Sequence, residues 1–110
     1  SLPHSTGLRN GLIGLIHARV KDKTSGFHNL VITHELLHLF GAFDKYALSS
    51  GTPVYPHGYA EPSRSPIHPQ RKAEIMGRAI PLSPSRFRVA RNLNETIIGA
   101  QTAKEIGWGK

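Results

Sequence analysis

Two histidines and a glutamate, in the order His34-Glu35-x-x-His38, have the residue types and spacing of a metal site with its own base. Histidines four residues apart lie on one face of a helix, one turn apart. From there two neutral imidazoles can reach one ion with bonds of about 2.0–2.1 Å. Glu35 cannot be a third ligand from the same face, but it can reach a water in the open position and act as general base. A chance match in a chain with 7 histidines is the alternative interpretation.

The residues after His38 can supply a third ligand. Gly41 is placed to end the helix, because glycine adopts a left-handed backbone conformation at little cost. The chain can then turn back and bring the carboxylate of Asp44 to the ion. Two histidines, one carboxylate and a water form the open shell of a catalytic zinc site. The chain has no cysteine, so a metal site has to use His, Asp or Glu.

A helix has to present these residues, and the pattern predicts one that begins near residues 27–29, with Ser25 or Asn29 as its cap, and ends at Gly41. Apolar residues lie almost all round this segment, which is typical of a buried helix. Before it, apolar and polar residues alternate from Ile16 to Lys21. This alternation predicts a half-buried strand.

The stretch HELLHLFGAFD resembles the extended HExxHxxGxxH/D signature of metzincin metallopeptidases, in the branch whose third ligand is aspartate. Asp44-Lys45-Tyr46 is similar to the D-x-Y that follows the motif in immune-inhibitor-type bacterial peptidases. The resemblance implies zinc on the two histidines and the aspartate, with the glutamate as general base: His34, His38, Asp44 and Glu35.

The resemblance also implies an α+β fold with a metzincin-like (zincin) catalytic core. Such a core has an edge strand that pairs with an extended substrate, an active-site helix, and a methionine in a tight Met-turn beneath the metal. Met76, in Glu-Ile-Met-Gly, is the only methionine. We expect one domain over residues 1–110, with strand and active-site helix in 1–44, and an irregular loop, the Met-turn and a final helix in 45–110. The short lead before His34 indicates a truncated N-terminus.

The second half of the chain is predicted to be irregular for most of its length. Five of the 8 prolines fall between residues 47 and 72, which predicts a long loop. A turn is expected from Pro81 to Pro84, and a strand from Arg86 to Leu93. The final helix should start at Thr96 or Gly99 and stop at Gly107.

Glu74 is the alternative third ligand. Another group of zinc peptidases, similar to thermolysin, combines HExxH with a glutamate on a later helix, and the segment from Arg71 to Gly77 could start one. Glu74 could instead hold a ligand histidine in its correct tautomer.

Residues that contact the substrate are less well marked. Some metzincins have a tyrosine two residues after the Met-turn methionine that stabilises the oxyanion, and here that position is Arg78. Tyr46 and Tyr59 are the other candidates for this role. We hypothesise that Arg78 contacts the oxyanion or an acidic group of the substrate.

Together these features predict a zinc-dependent endopeptidase that acts on a peptide or protein substrate. A non-catalytic zinc-binding structural or interaction domain is the alternative from another class, beside the thermolysin-like peptidase. Net charge is +7, and seven basic residues lie between Arg64 and Arg91, the basic patch, against one acid. Phe87 is the only phenylalanine, tyrosine or tryptophan within this patch. The patch is therefore more typical of a solvated face than of a nucleic-acid site. No apolar run is long enough to span a membrane.

Overall fold

The computed structural model describes Gly14 and residues 26–108, and this part of the chain has the predicted α+β character. Its elements are helix α1 (Phe27–Leu39), strands β1 (Ala73–Glu74), β2 (Ala79–Ser83) and β3 (Arg86–Val89), a 3-10 helix (Leu93–Glu95), strand β4 (Thr96–Ile97) and helix α2 (Ala100–Glu105). The strand expected from Ile16 to Lys21 lies outside the described residues, and Gly14, which precedes it, is helical. The metzincin-like core stays a prediction.

Helix α1 buries one face, not its whole circumference. The buried positions follow the i, i+3, i+4, i+7 spacing of a single helical face: Leu30, Thr33, His34 and Leu37. Apolar residues on the other faces are exposed, and Leu39 is 81% exposed. The expectation of a helix buried all round is therefore wrong, because the core formed by the described residues lies on one side of α1.

The C-terminus of α1 redirects the chain towards Asp44. Gly41 has a φ of 106°; its amide donates to the carbonyl of His38, and the amide of Ala42 donates to that of Leu37, both at 3.0 Å. These two bonds form a Schellman motif, so the prediction that Gly41 ends the helix is confirmed. At the other end the N-cap is Gly26, without a side-chain hydrogen bond, and the predicted caps at Ser25 or Asn29 are wrong.

The chain between α1 and β1 is irregular, as predicted, with isolated bridges from Tyr46 to Pro53 and from Tyr59 to Ala73. Strand β1 then pairs with β4 in parallel, and β2 pairs with β3 as an antiparallel hairpin. Helix α2 follows Gly99, one of its two predicted starts, and is succeeded by Gly107 at a φ of 77°. The other predicted start, Thr96, is wrong because this residue lies in β4.

Pro81 lies within β2, although a turn was predicted there. The register of the hairpin shifts between Pro81 and Ser83, and such an irregularity tolerates a residue that cannot donate to the ladder. The carbonyl of Pro81 instead accepts from the amide of Gln70 at 2.8 Å. The turn is confined to residues 84–85, and β3 ends at Val89, before the predicted Leu93.

A tight turn at residues 75–77, called the Met76 turn below, lies in the centre of the core. Met76 and Ile75 are fully buried, together with Leu37 of α1 and Ile106 after α2. The turn therefore packs directly against the helix that carries the two histidines. No helix in the described part of the chain is both long and apolar enough to cross a membrane.

Candidate metal centre

The two histidines of α1 present the same nitrogen to a common point. Nδ1 of His34 lies 3.0 Å from the carbonyl oxygen of Ile75, and Nδ1 of His38 lies 2.9 Å from that of Ala42. Because a carbonyl oxygen only accepts hydrogen bonds, each Nδ1 carries a proton, and each Nε2 of a neutral ring then has a free lone pair. Hydrogen bonds of this kind fix the tautomer and ring orientation of metal-binding histidines.

Asp44 brings one carboxylate oxygen to both Nε2 atoms. Its Oδ1 lies 3.0 Å from Nε2 of His34 and 2.9 Å from Nε2 of His38. Two imidazole lone pairs and a carboxylate oxygen are three acceptors, so a proton or a cation has to lie between them to make the group favourable.

This donor set fits a metal ion in size. In a tetrahedral zinc site with bonds of about 2.0–2.1 Å, donor atoms lie about 3.3 Å apart. The two separations from Asp44 Oδ1 to the histidine nitrogens, 3.0 and 2.9 Å, are close to this value. Nitrogen and oxygen donors do not specify zinc by themselves, since other divalent ions accept both.

Glu35 lies beside this group. One of its carboxylate oxygens and one nitrogen from each of His34 and His38 all lie within 4.8 Å of one another, so these three residues could hold a metal ion. The expectation that Glu35 cannot be a third ligand is therefore wrong on distance, because its carboxylate reaches the same point as the two imidazoles. Glu35 is exposed and, like Asp44, lines a cavity of about 170 Å³ that also contains the histidines. Its carboxylate can accept a proton from a molecule in that cavity.

The segment that carries Asp44 is fixed by Glu105, which lies at the end of α2. Oε1 of Glu105 accepts from the amide of Phe43 at 3.0 Å and from Nζ of Lys45 at 2.6 Å, and Lys45 also donates to the carbonyl of Phe43 at 2.8 Å. We call these contacts the Glu105 clamp. The side chains of Lys45 and Glu105 are only 6% and 14% exposed, so water screens their ion pair little.

The electrostatics of Glu105 agree with this role. Burial by itself raises the pKa of this carboxyl, but the hydrogen bonds from Lys45 and Phe43 outweigh burial, and the pKa lies below its usual value. The clamp thus favours the charged carboxylate and holds the residues on both sides of Asp44.

Glu74 is fully buried and binds backbone amides. Its Oε1 accepts from the amides of Met76 at 2.6 Å and Gly77 at 3.3 Å, and its Oε2 accepts from that of Gly99 at 2.8 Å. Burial raises the pKa of Glu74, while the amides of Gly99 and Met76 act in the opposite direction. The described wall of the cavity around His34 does not include Glu74, so the structure does not bring this alternative ligand to the histidines.

The tautomer role hypothesised for Glu74 belongs to the main chain. The carbonyl of Ile75 holds Nδ1 of His34, and the next carbonyl, that of Met76, accepts from the amide of Lys45 at 2.9 Å. The Met76 turn therefore positions both His34 and Lys45, the residue after Asp44. Glu74 acts one step further away, by holding the Met76 turn in shape.

Of the three candidates for substrate contact, Arg78 and Tyr46 line the cavity and Tyr59 does not. Nη1 of Arg78 donates to the hydroxyl of Tyr46 at 3.3 Å, and its guanidinium carbon lies 5.1 Å from the centre of the Tyr46 ring. Tyr59 is buried, and its hydroxyl lies 2.8 Å from Nε2 of His68. Burial also raises the pKa of the Tyr59 hydroxyl.

Acidic residues outside the basic patch neutralise part of it. Arg71 pairs with Glu61, while Arg88 and Arg91 both pair with Glu95. The hydrogen bonds from Arg88 and then Arg91 lower the pKa of Glu95 to about 2. These pairs favour the interpretation as a solvated face over that of a nucleic-acid site.

Comparison with known proteins finds no relative. No family model matches the chain, and neither a curated protein nor a solved structure matches it. The resemblance to metzincins therefore depends on the residues quoted above, and function has to be argued from the site.

Proposed function

We propose that this protein is a zinc-dependent endopeptidase of metzincin type. In this proposal His34, His38 and Asp44 bind the metal and Glu35 is the general base. The observation that supports it most strongly is the approach of Asp44 Oδ1 to both Nε2 atoms, at 3.0 and 2.9 Å. The proton on each Nδ1 leaves lone pairs at this point, and three N and O donors with an open position suit a catalytic zinc ion.

The reaction would use the residues of the cavity as follows. A zinc ion held there would lower the pKa of a bound water towards about 7 and polarise a peptide carbonyl. Glu35 takes the proton of the attacking water and passes it to the leaving amine. Because Glu35 is exposed on the cavity wall, it can approach both positions. Apolar residues on the same wall, such as Leu30 and Val89, offer a surface for a side chain of the peptide.

The variant Glu35→Gln tests this proposal. We expect it to keep zinc, measured by elemental analysis of the dialysed protein, because the three ligands are unchanged. Hydrolysis of a proteome-derived peptide library, followed by mass spectrometry, should fall by about 10²–10⁴-fold, the usual contribution of a general base. Glu61→Gln is the matched control, since it makes the same change in a side chain outside the cavity.

Two results would contradict the proposal. A chain that binds zinc and hydrolyses no peptide is the non-catalytic zinc-binding domain. If the chain takes up no zinc, the acceptor atoms of His34, His38 and Asp44 are held together by shared protons and do not form a zinc site.

A further inference from the structure

We infer that Arg78 is the substrate-recognition residue of this cleft and that it binds a carboxylate of the peptide. The inference rests on the proposed function and adds the class of substrate. The carboxylate belongs either to an acidic side chain near the scissile bond or to the C-terminus of the peptide.

The backbone of Arg78 is fixed in a conformation that disfavours a large side chain. Its φ is 69°, and it is the one non-glycine residue with positive φ in the part of the chain that the structure describes. Its amide donates to the carbonyl of Glu74 at 2.9 Å, and its carbonyl accepts from the amide of Ala90 at 3.0 Å. Glycine would occupy this position at lower cost, and strained residues of this kind cluster at functional sites.

The guanidinium of Arg78 is positioned by an uncharged partner. Tyr46 supplies both its ring face and its hydroxyl, and no ion pair among the described residues includes Arg78. The hydrogen bond to Tyr46 uses one of five N–H donors. The cation is thus held in place while other donors can form the bidentate contact that guanidinium makes with carboxylate.

Arg78 lies between two cavities. With Tyr46 and Val89 it lines both the cavity of the metal donors and a neighbouring one of about 110 Å³. Phe87 and Gly51 form the far wall of the second cavity, where a Cβ on Gly51 would lie 3.4 Å from the Phe87 ring. A peptide that is bound at the metal donors and extends into the second cavity would therefore pass the guanidinium of Arg78.

This position favours a substrate carboxylate over the oxyanion of the reaction. An oxyanion would form beside His34, His38 and Asp44, whereas Arg78 is exposed and lies on the wall that the two cavities share. We therefore place Arg78 beside the part of the peptide that lies beyond the scissile bond. A net charge of +7 further attracts anionic peptides to the chain.

Peptide binding to the zinc-loaded Glu35→Gln variant tests this inference without turnover. The probes are fluorescent decapeptides of one sequence, with Glu or Gln at each position around the cut, each made with a free or an amidated C-terminus. Polarisation should show that one carboxylate tightens binding on the order of tenfold to hundredfold. The peptide series whose affinity changes identifies whether the carboxylate belongs to a side chain or to the C-terminus.

Further substitutions in the same background assign the effect to Arg78. Arg78→Gln should bring the acid-to-amide ratio to about one, and Arg78→Lys should keep part of it because the charge remains. Arg86→Gln is the matched control, since Arg86 is an exposed arginine of the same hairpin that lines neither cavity. Arg86→Gln should keep the full ratio of affinities between acidic and amide peptides.

The contrary outcomes separate this inference from the proposed function. If acidic and neutral peptides bind equally, the inference is overturned while zinc-dependent hydrolysis by the unmodified chain still stands. If Arg78→Gln in the active chain lowers kcat equally for acidic and neutral peptides and leaves their KM ratio unchanged, Arg78 serves the oxyanion and the inference is wrong. Absence of hydrolysis by the zinc-loaded unmodified chain instead contradicts the proposed function.

Discussion

Replacing Glu105 with glutamine removes the negative charge from the clamp that holds the Asp44 segment against α2. In the structure, Oε1 of Glu105 is shared by Nζ of Lys45 at 2.6 Å and the amide of Phe43 at 3.0 Å. The oxygen of a glutamine side chain has two lone pairs and can still accept both bonds, but without the negative charge. Lys45, at 6% exposure, would then keep the Phe43 carbonyl as an acceptor but lose its counter-charge.

The expected loss of stability follows from this geometry. Removing one partner of a buried ion pair costs about 3–5 kcal/mol, and a hydrogen bond to a charged group contributes about 1.5–3 kcal/mol. Because glutamine retains an acceptor, we expect the free energy of unfolding of Glu105→Gln to fall by about 2–3 kcal/mol. For a domain of this size the melting temperature should fall by roughly 10–20 °C.

The metal site should respond as well, since Phe43 and Lys45 flank Asp44. Loss of a residue that positions a ligand typically weakens metal binding by about 10–100-fold. Zinc affinity can be measured by competition with a chromophoric chelator, and stability by thermal unfolding of the metal-free chain. Glu61→Gln is the matched control, because its ion pair with Arg71 lies at the surface, and it should change both quantities little.

The lowered pKa of Glu105 determines how its contribution to stability changes with pH. The folded chain holds the pKa of Glu105 below its ordinary value of 4.5, so its contribution to stability is present above about pH 4.5 and disappears as the pH falls through the folded pKa. The gap in stability between the unmodified chain and Glu105→Gln should narrow at acidic pH. If Glu105→Gln matches Glu61→Gln in both melting temperature and zinc affinity, the clamp does not position Asp44.

Substitutions at three other positions test the Met76 turn, the strained backbone of Arg78 and the ion pairs of Glu95. Glu74→Gln places an amide group against a backbone N–H, so urea unfolding should show a loss of about 1–3 kcal/mol; no loss would mean that Glu74 does not hold the Met76 turn. Arg78→Gly should be more stable than Arg78→Ala by about 1 kcal/mol, because alanine keeps the Cβ that disfavours a left-handed backbone; the reverse order would remove the strain argument. Glu95→Gln should flatten the fall in stability between about pH 4.5 and pH 2, since the folded pKa of Glu95 is lowered to about 2; an unchanged slope would contradict its pairing with arginine.

The parts of the site that depend on local contacts could be predicted from the sequence. His34 and His38 share a helix face because of their spacing alone. The end of the helix at Gly41 follows from the one residue type that adopts a positive φ cheaply. These contacts span a few residues, and the pattern of residue types determines them directly.

The supporting contacts could not be predicted, because they join distant segments. The carbonyl of Ile75 that orients His34 lies 41 residues away in the chain, and Glu105 lies 60 residues from Lys45. A carbonyl has no sequence signature. The one hint of the clamp was a lysine within the apolar stretch FGAFDKY, since a lysine is almost never buried without a partner.

The basic patch shows a related limit. The segment from Arg64 to Arg91 contains one acid, Glu74, which is buried at the Met76 turn. The acids that pair with the basic patch, Glu61 and Glu95, lie on either side of this segment. Ion pairing depends on distance in space. The net charge can therefore be predicted from the sequence, but the share of it that is paired cannot.

Zinc content tests the central claim most directly. The unmodified chain, Asp44→Ala and Glu74→Gln would each be loaded with zinc, dialysed against a weak chelator and analysed for bound metal by native mass spectrometry, which also reports whether each chain is folded. We predict that the unmodified chain and Glu74→Gln retain zinc and that folded Asp44→Ala loses it. Zinc retained by Asp44→Ala and lost from folded Glu74→Gln would show that the third ligand has been assigned to the wrong carboxylate.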